Sequence, residues 1–350
     1  MPPSEVGIYT VVGEPAMLTV ELVGRTTPYR IAEVRPQVGG IIKSREFQEG
    51  SQISAGQTLY LIDPARYEAA QDSAEAALLR ARATLVRAEQ KADRYAGLLK
   101  NRAVSQEDFD DAEAALKEAA ASVQVAEADL TKARIELQYT HIDSPIPGQI
   151  GRSSVTQGAL VTAYQEMALA TVQQLDPIYV DLTQSAAQQL RLRRTLENGQ
   201  LQRPADAQPK VRLILEDGSA YPHEGRLEFS EVSVDQGTGT VTLRATMPNP
   251  DHVLLPGMFV RAQVEEGLRP EAVLVPQQGI QRDRQGHAIA LVLNAEEVVE
   301  RRQVETDRAQ GNRWLINQGL APGDRLIVDG LQKVKPGDKP QAVPWTPPSS

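Results

Sequence analysis

Val38-Gly39-Gly40-Ile41-Ile42 is echoed by Ile146-Pro147-Gly148-Gln149-Ile150, and Gly50-Ser51-Gln52-Ile53-Ser54-Ala55 by Gly158-Ala159-Leu160-Val161-Thr162-Ala163. Both pairs stand at one offset of 108 residues, with Gly40 and Gly148 each ten residues ahead of Gly50 and Gly158. Each copy reads as two short alternating strands joined by glycine turns. A unit that small cannot hold a core by itself, so the two copies are expected to pack on each other. Whatever lies between them is then an insertion into one small β-sandwich.

What lies between them is helix. No proline and only one glycine, Gly97, occur between Pro64 and Pro145, and 21 alanines fall between Ala65 and Tyr139, a composition that favours helix throughout. Tyr67, Gln71, Ala74, Leu78, Ala81, Leu85, Ala88, Ala92, Tyr95 and Leu99 keep the alternating four and three spacing of a heptad seam. The pattern stops at Lys100-Asn101-Arg102-Ala103-Val104, and Ser105-Gln106-Glu107-Asp108 reads as an N-cap with an acidic residue at its third helical position. A second seam follows: Phe109, Ala112, Leu116, Ala119, Val123, Ala126, Leu130, Ala133 and Leu137, bulky and alanine positions in alternation. Two matched seams joined by a short turn predict an antiparallel coiled-coil hairpin. Helices of about 34 residues at about 1.5 Å each give an arm on the order of 50 Å long, too thin to bury much of itself and expected to project from a body. Off the seam, Arg80, Arg82, Arg87, Glu89, Glu113 and Glu127 make a solvated face.

Working outward, Gln57 to Ile62 reads as a strand leading through Asp63-Pro64 into the first helix, and Tyr139 to Ile142 as a strand that begins where the return helix ends. Beyond Thr171 come short strands near 177–183, 211–216, 224–230, 240–247 and 258–265, with an amphipathic helix over Gln184 to Asn198 closed by Gly199. Alternating strands with one helix predict a small β-barrel. Further strands near 272–275, 289–293, 298–306 and 325–328 make a last β-domain, which Val6 to Val12 and Leu18 to Val23 are expected to help complete. The expected class is mainly β with a long helical hairpin, in an elongated multi-domain chain. Its parts are 5–16 with 263–340 (a β-domain joining both ends of the chain), 17–30 with 172–262 (barrel), 31–64 with 138–171 (the split sandwich), 65–137 (hairpin) and 341–350 (disordered tail, on the proline-rich run Pro344-Trp345-Thr346-Pro347-Pro348).

Composition narrows the function. With 37 basic against 46 acidic residues, net −9 and the signs interspersed, there is no electrostatic footprint for nucleic acid. There is no cysteine, and the four histidines, His141, His223, His252 and His287, are far apart, so no metal site is expected. No apolar run approaches the roughly 18 residues of a membrane span. The N-terminus lacks a charged and an apolar leader region, which suits a cytoplasmic chain or a trimmed exported one. Gly237-Thr238-Gly239 reads as a hairpin turn rather than a phosphate cradle, and Gly148 to Ser153 lacks the ending of a P-loop. No hydrolase or metalloprotease motif occurs, so the protein is not expected to be an enzyme.

The split repeat resembles the biotinyl/lipoyl carrier fold, in which a hairpin turn presents the modified lysine. Here the arm occupies that turn and no lysine sits on a tight one, so no prosthetic group or other cofactor is expected. The order of modules is similar to that of the periplasmic adaptor (membrane fusion) proteins of RND-type tripartite multidrug efflux pumps, the AcrA/MexA type. Four stretches carry the resemblance in order: Tyr29 to Val38 (YRIAEVRPQV), Ala170 to Val180 (ATVQQLDPIYV), Asn249 to His252 with Leu255 to Met258, and Val275 to Gly279 (VPQQG). Such an adaptor would bridge an inner-membrane proton/drug antiporter and a trimeric outer-membrane channel, in a ring of several copies forming a sealed duct. It would lie in the periplasm, held to the inner membrane by an N-terminal lipid outside this chain. In that family the hairpin tip docks on the channel through an Arg, a Leu four residues on and a Ser seven further, which match Arg94, Leu98 and Ser105. Ser105 also serves as a helix cap, Leu98 neighbours the seam, and Arg94 lies off it. His252, after Asp251 in a proline-rich turn, is a pH-responsive candidate. An adaptor of an ABC-type exporter and a carrier-like enzyme subunit remain as alternatives; the four stretches weigh against the first and the missing turn lysine against the second.

Overall fold

A computed structural model describes residues 4–101, 103–202, 208–230 and 233–346. The chain forms two compact units: Met1–Thr26, Val180–Pro248 and Gly257–Ser350 make one, and Thr27–Tyr179 with Asn249–Pro256 the other.

In the second unit the 108-residue repeat becomes a quasi-twofold sandwich. The Gly40–Arg45 strand pairs with Leu160–Val161, Gly40 opposite Val161, while Gly148–Ile150 pairs with Gln52–Ile53, Gly148 opposite Ile53. Each copy therefore pairs with the other rather than with itself, as its small size demands. The turns obey the same exchange. The Gly50 N–H donates to the Ile150 carbonyl and that of Gly158 to the Ile42 carbonyl, at 2.9 and 2.8 Å. The Ile42 N–H reaches Ala159, and that of Ile150 reaches Ser51, at 2.9 and 3.1 Å. Even the side-chain caps match: the Gln57 Oε1 accepts from the Ser54 N–H and the Gln165 Oε1 from the Thr162 N–H, both at 3.1 Å. Ile42, Ile53, Ile150 and Val161 fill the shared core with Leu59, Ile62 and Leu169. The phenol of Tyr60 is buried there, bonded to Ser153 Oγ at 2.6 Å and donating to the Leu169 carbonyl at 3.0 Å; burial pushes its pKa up, against the Ser153 hydrogen bond.

The arm starts from this core. Helix α1 (Ala65–Lys100) and helix α2 (Gln106–Gln138) leave and rejoin between the paired strands Thr58–Ile62 and His141–Asp143. All nineteen seam residues are buried or half-buried, while the exposed apolar groups Leu79, Val86 and Val125 lie off the seam. Leu78, Ala126 and Leu130 form a packed cluster with Ala74, Ala81 and Val123; alanine facing a bulky residue lets the two backbones approach and keeps the seam filled. Arg82 crosses to Glu127 at 2.8 Å. At the base, the Tyr67 hydroxyl donates to the Gly39 carbonyl at 2.6 Å, tying α1 to the first glycine turn.

In the first unit the Thr240–Met247 strand alternates strictly, with Val241, Leu243, Ala245 and Met247 buried, as a barrel wall requires. Gly225–Ser230 and Lys210–Ile214 continue the sheet, and the Phe259–Pro276 strand pairs with Lys210–Ile214 and, from Gly13 to Arg25, with the early chain. Arg244 makes a two-pronged bond to Asp181, Nε to Oδ1 at 2.7 Å and Nη2 to Oδ2 at 3.0 Å. Helix α3 (Ala186–Glu197) ends before Gly199, whose φ is 72°. Gly237-Thr238-Gly239 is a turn in which Asp235 Oδ1 accepts from the Gly237 and Thr238 N–H groups at 3.0 and 2.9 Å. In the last β-domain, Ala288–Leu293 pairs with Ile280–Arg282, Val299–Gln303 and Arg325–Asp329.

One expectation needs correction. The tail expected to be disordered over 341–350 is ordered where it is described. Gln341–Pro344 is a strand running parallel to Glu5–Thr10, whose other edge pairs with Arg325–Asp329, and Trp345 stands edge-on to Tyr9 at 6.3 Å. An open strand edge and an unfilled apolar face hold a segment whose proline content argues locally for disorder. The part over 347–350 lies outside the described residues. Within the stretch read as barrel, the loop Asn249–Pro256 packs with the sandwich unit. The fully buried Asn249 amide donates to the carbonyls of Leu175 and Leu254 at 3.0 and 2.9 Å and accepts from the Leu254 N–H at 3.1 Å.

Candidate functional site

The outer end of the arm is built by opposite capping needs. Helix α1 closes with the Asn101 and Ala103 N–H groups donating to the Leu98 carbonyl at 3.1 and 3.0 Å. Helix α2 opens with a reciprocal box: Ser105 Oγ accepts from the Asp108 N–H at 3.1 Å, and Asp108 Oδ2 accepts from the Ser105 N–H at 3.2 Å and from its hydroxyl at 2.5 Å. The hydroxyl bond, then the backbone one, holds the Asp108 carboxyl below its ordinary value of 3.8. A depressed carboxylate pKa adds stability that is present above the unfolded value and lost as pH falls through the folded one. The cap's contribution is therefore fully present at neutral pH and is lost progressively as pH falls past the ordinary carboxylate range toward the lower folded value.

The turn brings Arg94, Leu98 and Ser105 to one end of the arm, all three exposed. Arg94 and Leu98 are one turn apart on the same helical face. Arg94 has no ion-pair partner among the described residues, and Lys91 lies over the Tyr95 ring at 5.4 Å. Cations thus cluster in the last turns of α1, while Glu107, Asp108, Asp110 and Asp111 crowd the first turns of α2, each sign at the helix end whose dipole favours it. Around Leu98, the exposed groups described at this end of the arm are mostly polar or charged.

His252 stands apart from the tip. It sits exposed on the 249–256 loop with φ 52°, its Nε2 3.1 Å from Gln52 Nε2. Sequence reasoning missed Asn249 and Gln52, the residues that fix this loop. Asn-Pro in a turn was visible, but nothing local indicates that the Asn side chain is buried.

The family models match in the same order as the architecture: the barrel-sandwich hybrid domain of RND membrane fusion proteins over 30–173, their β-barrel domain over 177–268, and their C-terminal permuted SH3 domain over 271–333. The chain is 54% identical over 340 residues to multidrug resistance protein MexA of Pseudomonas aeruginosa, covering 97% of this chain and 85% of the relative. It is 54% identical over 332 residues to multidrug efflux pump subunit AcrA of Escherichia coli, covering 95% and 83%. Among solved structures, MacA from Actinobacillus actinomycetemcomitans aligns with TM-score 0.62 at 20% identity, covering 92% of this chain and 99% of that one. A MacA–MexA chimera carrying the MexA α-hairpin aligns with TM-score 0.58 at 22% identity, covering 91% and 98%. At those identities the structures speak for the fold alone. Three family domains in order and a relative identical at over half of nearly all positions place the chain in the RND membrane fusion protein family, among adaptors of the AcrA/MexA type.

Proposed function

We propose that the protein works in the periplasm, beside the inner membrane, as the adaptor subunit of a tripartite RND multidrug efflux complex. Its barrel and last β-domain contact an inner-membrane antiporter, its arm tip docks on a trimeric outer-membrane channel, and several copies form a ring around the export path. The role is architectural rather than catalytic. Among the described residues no helix is long and apolar enough to cross a membrane.

The observation that supports the docking role is the state of the three tip residues. Ser105 is engaged as a cap, so its contribution is to shape the turn, whereas Arg94 and Leu98 present an unpaired charge and an apolar group side by side. Arg94→Asp should alter stability by no more than about 0.5 kcal/mol, as at ordinary surface sites, while reversing a contact charge. In a strain that depends on this adaptor, that variant should restore drug susceptibility at unchanged protein level and melting temperature. The control is Arg80→Asp, since Arg82 is held by Glu127. Full resistance in both variants would reduce the tip to a spacer.

A further inference from the structure

Helix α3 is held in one rotation. Leu192 and Leu196 pack on the core made by Leu18, Ala272, Leu274 and Leu315, so Arg191 and Arg194 line an open cleft of about 1050 Å³ together with Arg269 and the strand Glu305–Gln310. The charges around this cleft are unevenly paired. The Glu266 carboxylate is held by Arg308 at 2.5 Å, Asp307 lies 3.4 Å from the same guanidinium, and Glu21 pairs with Arg261 at 3.2 Å. Arg269 donates to the neutral Asn317 Oδ1 at 2.9 Å and keeps its full charge. Among the described residues, Arg191 and Arg194 have no ion-pair partner, Glu305 has none either, and Arg308 alone serves both Glu266 and Asp307. Three guanidinium groups without an ion pair thus face two uncompensated carboxylate charges, Glu305 and one of the two that share Arg308, on a chain whose net charge is −9. Arg193, between them, does not line the cleft and pairs with Glu197 at 3.1 Å.

We propose that this cleft receives an acidic segment of the inner-membrane transporter, with Arg191, Arg194 and Arg269 taking its carboxylates. The proposal rests on the adaptor reading and adds to it the residues and the charge of the contact. A polypeptide fits better than a membrane surface for two reasons. The cleft runs along the whole Glu305–Gln310 strand, whose recorded pairing is with Arg313–Gln318 and which ends the sheet order, so an open edge is offered to main-chain groups. Glu305 and Asp307 would repel anionic headgroups spread over the same strand, whereas a peptide can place its carboxylates on the arginine side alone. Guanidinium forks suit bidentate carboxylate contacts.

The test uses the full chain and the transporter from the same host, purified in phosphatidylcholine nanodiscs. Arg191→Glu with Arg194→Glu should weaken binding by about tenfold or more, chiefly through slower association, and wild-type binding should weaken with added salt. Arg193→Glu should stay within about twofold, as for an exposed pair. Because the chain contains no cysteine, Thr195→Cys bearing a photoreactive label marks the cleft alone, and its cross-link should map to an acidic transporter segment. If the double variant binds as tightly as wild type, the cleft assignment falls and the adaptor reading stands. If wild-type protein does not bind the transporter at all, both fall. If protein-free nanodiscs rich in phosphatidylglycerol bind wild type as well as the transporter does, and lose the double variant, the cleft belongs to lipid headgroups and the proposal is overturned.

Discussion

In the sandwich Ile41 stands opposite Leu160, and their counterparts 108 residues away, Gln149 and Gln52, stand opposite each other in the same register. The first pair is apolar and open, Ile41 at 51% and Leu160 at 75% exposure. The second is a pair of amides, and Gln52 meets His252 on the 249–256 loop. One position inward the distinction vanishes, with Ile42 and Ile150 each 1% exposed. The repeat is kept wherever one copy packs on the other and is released wherever a copy faces something its twin does not.

The comparison is most exposed to test at its glycines. A Cβ on Gly148, where φ is 154°, would stand 2.3 Å from the Gln173 carbonyl oxygen, whereas one on Gly40 would meet the Ile62 Cγ2 methyl at 2.5 Å. Backbone cannot yield as a side chain can, so Gly148→Ala should cost about 3 kcal/mol from strain and overpacking together, and Gly40→Ala clearly less, by urea unfolding. Equal losses would mean that the two turns carry the same load. Gly50 and Gly158, with φ 80° and 88° and open space around each Cβ, should behave as twins. Alanine at either should cost about 1 kcal/mol for conformation alone, and a gap between them above about 0.5 kcal/mol would break the quasi-symmetry.

Smaller effects sharpen the difference between the edges. Ile41→Gln with Leu160→Gln copies the amide edge onto the apolar one and should change the melting free energy by no more than about 0.5 kcal/mol; a large loss would show that the apolar pair supports the fold. The smallest effect is expected at His252, exposed and in contact with Gln52: His252→Ala should alter stability by no more than about 0.5 kcal/mol by urea unfolding, and a larger loss would make this contact a support of the loop.

Much of this was legible because it is written locally. Glycine spacing and paired isoleucines announce the repeat, and the proline-free alanine-rich window with its two seams announces the arm, cap included. The tail was misread for the opposite reason. Pro344 and Pro347 argue against order within their own neighbourhood, and the partner that overrides them, Glu5–Thr10, lies at the other end of the chain. The Asn249 anchor and the Glu266–Arg308 pair are equally non-local, formed by segments that no periodicity connects. At the tip, the capping role of Ser105 could be derived from spacing, whereas the significance of Arg94 came only from the family resemblance, since an exposed arginine carries no signal of its own.

The insertion of the arm between the two half-repeats also bears on how the molecule folds. Closing the sandwich requires the chain to bring Ile62 next to Thr140, whose backbone groups bond at 2.8 Å. As a flexible loop that closure would cost on the order of 4 kcal/mol in entropy. The helices offer another order of events: if α1 and α2 grow from local contacts and zip toward the sandwich, the strand ends arrive as neighbours and a remote contact becomes a sequence of short-range ones. Unzipping the seam should therefore slow the folding of a sandwich that contains none of the altered residues, because the arm is the splint along which its halves find each other.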